Sequence, residues 1–594
     1  MVETVSLDQA IAAFQAGRLA EAEAQLARLR EDKAQEAEVW RISGVVARAA
    51  NKPVDAEAYL RRAIELSPQP GEAWNTLGLL LDALGRRDEA IKAFETSMKL
   101  MPGKSAPAIN LARLWLRNEA SEKALDLLKP FQAEPAADLV YAQALQAHGA
   151  PAEALAHYAK LAPRLPGNPR IAYGEALCRL DRGEWEEALT LLNGLVSKGV
   201  QEAHYPRFTA LARMGRTDEA FGALRQVLSR NAAHIDGLHG AAQLYWMTGQ
   251  GDQIRPLYDM ALQASGGAIA VYIAYINVMV QMGDFDRARF ILDQALKQYG
   301  DAAWRLERAI HVEIEAEQTD AAWALAQRAE SGFPDEFSLF ANRSRAGLMA
   351  GEAGRVHDLI EAGRARFPQD RFWVGMEASL ARVEGRDEDY RELVDMERFV
   401  RTFEITPPNG YADIAQFNQA LAARLHQLHA FAAAPLDQSL RGGVQTPSDL
   451  RFRDDPEILA FFKQLREAVE EYKAGLKAQE GHPLTGSIPK ETEIQGAWSV
   501  RLGPGGRHVN HVHPEGWISS AYYVSVPEQV HGSQSREGWL KFGEPPFPVP
   551  GLEPHDYVEA VPGQWTLFPS YLWHGTVPIT SGERLTIALD IKPA

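Results

Sequence analysis

Two histidines stand two residues apart in His511-Val512-His513-Pro514, and a third, His574, follows 63 residues after the first. In an extended chain, side chains two apart point the same way, so His511 and His513 can face one pocket. Imidazole is the commonest transition-metal ligand near neutral pH, which makes the trio a candidate metal centre. Arg584 lies ten residues beyond His574 and opens Arg584-Leu585-Thr586-Ile587. Its planar fork matches a carboxylate better than a lysine would. Ser520 and Tyr522 follow the histidine pair and can hydrogen-bond a molecule held there if both alternate inward. Taken singly, each histidine reads equally well as a satisfied structural residue; the grouping with Arg584 is what points to chemistry. Trp517 and Trp573 flank the trio and serve equally as pocket wall or as packing. His508, His531 and His555 sit among turn formers and read as exposed.

These side chains need a scaffold of strands. From residue 495 the sequence breaks into β-rich runs at Ala497 to Leu502, Ile518 to Val526, Gly538 to Phe542, Asp556 to Val561, Gln564 to Phe568 and Leu585 to Ile591, separated by Gly and Pro clusters. Short strands at this spacing predict a double-sheet sandwich or jelly roll, a double-stranded β-helix, rather than a parallel α/β sheet. Residues 412–434 and 455–478 carry helical spacing and are expected to buttress it. Thr406-Pro407-Pro408-Asn409-Gly410-Tyr411 reads as a linker, and Arg441-Gly442-Gly443-Val444-Gln445-Thr446 as a connecting loop.

The first two thirds of the chain follow a different rule, a period of 34 residues. Trp40, Gly44, Ala56, Leu60, Ala63 and Pro68 recur as Trp74, Gly78, Ala90, Phe94, Ser97 and Pro102. Gly149, Ala154 and Tyr158 reappear as Gly183, Ala188 and Leu192, and the frame runs on through Gly215, Gly249, Gly283, Gly351 and Gly385. The glycines are expected where two helices approach closely. Trp74, Leu77, Gly78, Leu81, Ala90, Phe94, Ser97 and Pro102 resemble the tetratricopeptide repeat, over roughly residues 5 to 395. That resemblance implies about eleven helical hairpins stacked into a superhelix, with a concave face that takes a protein or peptide. The expected organisation is multidomain: repeats over 1–398, linker and supporting helices over 399–490, and a jelly-roll core over 491–594.

Composition narrows the function. A formal net charge of −17 argues against nucleic acid as a general partner. The one cysteine, Cys178, excludes an intrachain disulfide and a cysteine-based zinc site, and its place in a repeat suits a small buried hydrophobe. Met1-Val2-Glu3-Thr4 lacks the basic start of a secretory leader, and no stretch is apolar for long enough to cross a bilayer. No membrane partner and a cytoplasmic location are the expectation.

The C-terminal pattern resembles the iron(II)- and 2-oxoglutarate-dependent oxygenases, most closely their bacterial and phage His-x-His-Pro group; the layout is also similar to the aspartyl/asparaginyl β-hydroxylases. The resemblance covers about residues 400 to 594. It implies His511 as first metal ligand, His574 as distal ligand and Arg584 as the clamp on 2-oxoglutarate. Thr586, Ser520 and Tyr522 are implied beside that cosubstrate. Where the common pattern has Asp, this chain has His513, and three readings stay open: a three-histidine site, a two-histidine site completed by water, or a shifted His513/Glu515 pair. The activity implied is a dioxygenase, with hydroxylation of a protein or peptide as its outcome. The competing readings are a non-catalytic repeat scaffold whose jelly-roll cap senses a ligand or metal, and a cupin-like enzyme using three histidines without a ketoacid.

Overall fold

The computed structural model describes residues 5–368, 370–429, 431, 433–447, 449–514 and 516–593. The chain divides into two compact units, Met1–Val200 and Gln201–Ala594. In the first, twelve α-helices from Leu7–Gln15 to Trp185–Ser197 pair consecutively as six hairpins. The second opens with twelve more, from His204–Arg213 to Asp387–Leu393, again paired in order. Among the described residues this makes twelve hairpins, where the repeat frame predicts about eleven.

Local sequence explains where these helices start and how closely they pack. Ser6 and Gln9 form a reciprocal capping box, and Pro53, Pro135, Pro151 and Pro169 each open a helix at a position whose N–H has no helical partner. The periodic glycines do two separate jobs. A Cβ on Gly78 would lie 2.6 Å from the Phe94 ring, so the missing side chain lets helices Gly71–Ala83 and Arg87–Leu100 touch. Gly149, Gly183 and Gly215 instead have φ of 86°, 72° and 71°, and a Cβ there would meet nothing within 4 Å at Gly149 and Gly215 and only the Trp185 ring, at 3.9 Å, at Gly183. They end the first helix of a hairpin in the left-handed conformation, which corrects the expectation of close approach there. Cys178 is fully buried, and burial pushes its thiol up to about 12, as an inert core residue requires.

Nine strands follow: β1 (Arg401–Glu404), β2 (Leu440–Gln445), β3 (Thr492–His508), β4 (Ile518–Ser525), β5 (Leu540–Phe542), β6 (Asp556–Val558), β7 (Gln564–Pro569), β8 (His574–Thr576) and β9 (Arg584–Pro593). They form a six-stranded antiparallel sheet in the order β1-β7-β4-β9-β3-β2 and a three-stranded sheet in the order β6-β5-β8. The segment expected as a connecting loop at 441–446 is mostly β2, paired with β3 through a register shift that Gly442 and Gly443 permit. Helices Ile414–Leu428 and Pro456–Gly475 cover the large sheet, with Phe461 stacked 4.8 Å from Trp565.

The last long repeat helix, Arg371–Val383, belongs to two cores at once. Trp373, Met376 and Leu380 pack among the repeats together with Trp573, while Val374 and Ala378 pack with the strands. The expected division at 398/399 falls downstream of this helix, which packs against the strands as well as the repeats. Arg371 is buried and donates to the carbonyls of Gly516 at 3.0 Å and Pro483 at 2.9 Å. Trp573 Nε1 donates to Gly375 O and Ser379 Oγ, both at 3.0 Å. Arg371→Met keeps the volume but removes the arginine's donor to Pro483 O and one of the two donors to Gly516 O, which Ser570 Oγ still reaches, at a cost of about 1–3 kcal/mol. Hydrogen exchange across 509–517 is expected to accelerate by at least about tenfold; unchanged protection would show that Arg371 does not hold this segment.

Candidate metal centre

His511 and His574 come together through the backbone. His511 N–H donates to His574 O at 2.9 Å and His574 N–H donates back to His511 O at 3.1 Å, an isolated antiparallel bridge. His513 is placed by its own N–H, which donates to Ser570 O at 2.9 Å. The three imidazoles each offer a nitrogen within 4.8 Å of the others, with ring centroids 4.3 to 5.2 Å apart. Glu515, the alternative third ligand, lies outside the described residues.

The outer nitrogens settle the tautomers. His511 Nδ1 lies 2.8 Å from Val509 O and His574 Nδ1 lies 2.9 Å from Leu572 O. A carbonyl only accepts, so each Nδ1 carries the proton and each Nε2 lone pair is left free. His513 Nδ1 meets a carboxylate instead, Asp590 Oδ2 at 2.6 Å, and Ser519 Oγ donates to the other oxygen at 2.6 Å. Burial, reinforced by His513, lowers His511 to about 3, and burial holds His574 well below the ordinary histidine range. Both stay neutral near pH 7, the form that binds a metal. Burial would raise the Asp590 carboxyl, but the facing His513 and the hydrogen bonds from His513 and Ser519 outweigh it and hold it low.

The histidines border a cavity of about 230 Å³ between the two sheets, lined by residues of β3, β4, β8 and β9 together with Leu540 of β5. Arg584 reaches it from β9, 1% exposed, with Nε and Nη1 unpartnered. Its guanidinium lies 5.1 Å from the centre of the Tyr523 ring. The Tyr523 hydroxyl and Thr566 Oγ1 are buried without a hydrogen-bond partner, as is Thr576 Oγ1 on the cavity wall. Buried polar groups are almost always satisfied, so this cluster fits an anion with several acceptor oxygens. Thr586 is buried two residues beyond Arg584 on the same face, its hydroxyl a long 3.5 Å from Val500 O.

Strand parity corrects two expectations. Ser519 bonds Asp590 across the β4–β9 pairing, so Ser519, Ala521 and Tyr523 share the cavity face. Tyr522 points the other way: its hydroxyl donates to Asn418 Oδ1 at 2.6 Å and its ring packs on Phe461 and Trp565. Ser520 borders the cavity, but its side chain shares the face of Tyr522. Tyr523 is the tyrosine beside Arg584. Trp517 and Trp573 are core residues whose indole N–H groups bond backbone carbonyls, Leu484 O and Gly375 O. His531 is exposed as expected, and His555 sits at the surface bonded to Tyr390. His508 is not exposed: it ends β3, lines the cavity and bonds Ser439 Oγ at 3.0 Å. A second cleft of about 680 Å³ shares His508 and Thr576 with the cavity and opens between the repeat residues Glu317, Thr319 and Met349 and the loop Pro545–Pro550.

Asp590 and Ser519 had no place in the sequence reading. The signal for Asp590 was present: an acid inside an otherwise apolar strand, in phase with Arg584 and Thr586.

Runs of helical hairpins leading into two antiparallel sheets that close over three histidines define a repeat protein with a β domain able to hold a metal. Residues 7–70, 71–104, 145–210 and 249–310 match tetratricopeptide-repeat models, and residues 496–590 match the family described as "Putative 2OG-Fe(II) oxygenase". The chain thus joins tetratricopeptide repeats to a C-terminal 2OG-Fe(II) oxygenase-family domain. No curated protein matches it. Similar solved structures include YrrB, titled a TPR protein with an unusual peptide-binding site, 19% identical over 29% of this chain and 91% of that one with a TM-score of 0.25. Pseudomonas aeruginosa pilF is 18% identical over 32% of this chain and 88% of its own, with a TM-score of 0.29. A tetratricopeptide repeat protein from Parabacteroides merdae is 14% identical over 52% and 98%, with a TM-score of 0.26. Among the described residues, no helix is long and apolar enough to cross a membrane.

Burial also lowers His508 well below its ordinary value, and His311 and His429 to about 4. Unfolding returns all of them to roughly 6.5, so below that pH the unfolded chain binds more protons and stability falls as pH falls. The metal-free unfolding midpoint is expected to drop steadily from pH 7 to pH 5, with a shallower slope in His508→Gln. A midpoint independent of pH over that range would contradict neutral burial of these imidazoles.

Proposed function

We propose that the C-terminal domain is an iron(II)- and 2-oxoglutarate-dependent dioxygenase that hydroxylates a protein or peptide gathered by the repeats. The observation that carries this reading is the pairing, in one cavity, of three imidazole nitrogens within 4.8 Å of one another with a buried guanidinium whose Nε and Nη1 have no partner. His511, His513 and His574 would hold iron(II) and leave coordination positions open for a chelating ketoacid and oxygen. Arg584 would take the far carboxylate of 2-oxoglutarate on Nε and Nη1, with neutral Tyr523 and Thr566 as donors beside it. Thr586 stands on the same wall. When bound, iron(II) and 2-oxoglutarate would supply, with dioxygen as the oxidant, hydroxylation of a substrate C–H bond coupled to oxidative decarboxylation of the ketoacid to succinate and carbon dioxide, one oxygen atom going to the substrate and one to succinate.

The protein's own task is then to orient and to exclude water. Neutral His511 and His574 keep their lone pairs available, and the buried walls around Arg584 and His574 limit the competing partners there. The wider cleft beside His508 and Thr576 supports an extended substrate, because one of its walls is built from repeats and the other from the β domain. Stacked hairpins of this kind present long surfaces suited to peptides.

With iron(II), ascorbate and 2-oxoglutarate supplied, the full chain is expected to release succinate and His574→Ala to release none. Equal succinate from both would remove this site as the source. Arg584→Met is expected to weaken 2-oxoglutarate binding by at least about tenfold, since hydrogen bonds between charged groups contribute about 1.5–3 kcal/mol. Anaerobic titration of the iron(II)-loaded protein checks it; unchanged affinity would place the ketoacid elsewhere.

A further inference from the structure

The three histidines are not equivalent. His511 and His574 each give the outer N–H to a neutral peptide carbonyl, whereas His513 gives it to a carboxylate. Among the described residues lining the cavity Asp590 is the only acid, and Ser519 fixes its second oxygen. Charge makes this arrangement matter. A divalent ion on three neutral imidazoles, with the Arg584 guanidinium in the same enclosure, would place three positive charges there against one fixed negative one. Buried charge without compensation is strongly disfavoured. A carboxylate behind a ligating imidazole also sets its tautomer and raises its basicity.

We propose that Asp590 is a positioning residue that makes His513 the third metal ligand: it anchors Nδ1–H, turns Nε2 into the cavity, and supplies through the ring the negative charge that the three imidazoles lack. The proposal rests on the metal-site reading above. Ser519 acts with it by holding the carboxylate in the plane where His513 can reach it. The bond between His513 and Asp590 joins the ligand segment to β9, the strand that also carries Arg584, so the metal end and the carboxylate end of the cavity share one support.

The test is a cycle of iron(II) dissociation constants, measured anaerobically on the full chain by competition with a chromophoric chelator. Asp590→Asn is expected to weaken iron(II) binding by about 10- to 100-fold, the usual scale for losing such a partner. In the His513→Asp background, where the acid itself faces the ion, Asp590→Asn should cost less than about threefold, because the linkage it serves no longer exists. An unchanged dissociation constant in Asp590→Asn, or the same loss in both backgrounds, would overturn the proposal; the second result would mark Asp590 as a packing residue only. Should Asp590→Asn not fold, Ser519→Ala carries the comparison, with a loss of about two- to fivefold beside His513 and none in His513→Asp. A wild-type chain that takes up no iron(II) removes the site reading and this inference together. A wild-type chain that binds while Asp590→Asn binds as tightly removes the inference alone.

Discussion

Two reciprocal backbone hydrogen bonds between His511 and His574 are the constraint on which the site depends. A metal needs imidazoles from distant parts of the chain to meet within a few ångströms, and side-chain chemistry alone cannot bring them there. Directly opposed residues on antiparallel strands carry Cβ atoms about 5 Å apart, so a single bridge converts 63 residues of separation into contact. The rest of the β region protects that bridge. Ser570 O fixes His513, β5 pairs with β8, and the helix Arg371–Val383 ties down both Gly516 and Trp573.

The cavity then divides by charge. At its histidine end every outer nitrogen is satisfied by the protein. At the other end the protein leaves a guanidinium, a phenol and a threonine hydroxyl buried with unmet hydrogen-bonding capacity. Such a cluster lowers the stability of the empty fold, and folds tolerate that cost where a ligand later meets the need. The lowered pKa of Arg584, caused mainly by burial and opposed by Tyr523, records the same strain.

How much was legible in the sequence depended on whether a feature obeys a local rule. The 34-residue period survives because each hairpin repeats the same packing problem, and the histidine trio could be read because metal ligands are few and distinctive. Glycine spacing was legible but its cause was not: Gly78 lies against Phe94 whereas Gly149 turns left-handed, and only the backbone separates the two. Strand parity failed by one residue, because which of Tyr522 and Tyr523 faces inward follows from how β4 lies between β7 and β9, and no local pattern encodes it. The segment at 441–445 carries two glycines and reads as loop, yet β3 supplies the partner that makes it a strand. Arg371 and Asp590 act on residues 145 and 77 positions away, at distances where no spacing rule operates.

The double role of helix Arg371–Val383 bears on how such a chain can change over generations. Repeats built on one period can be gained or lost upstream by whole hairpins, since each rests mainly on its neighbours. The final hairpin has no such freedom, because its inner face is wall to the strands and its arginine braces the turn after the histidine pair. Recombination that grafts this C-terminal domain onto a different array is thus expected to carry the closing hairpin along, leaving the splice point well inside the region that periodicity alone would assign to the repeats.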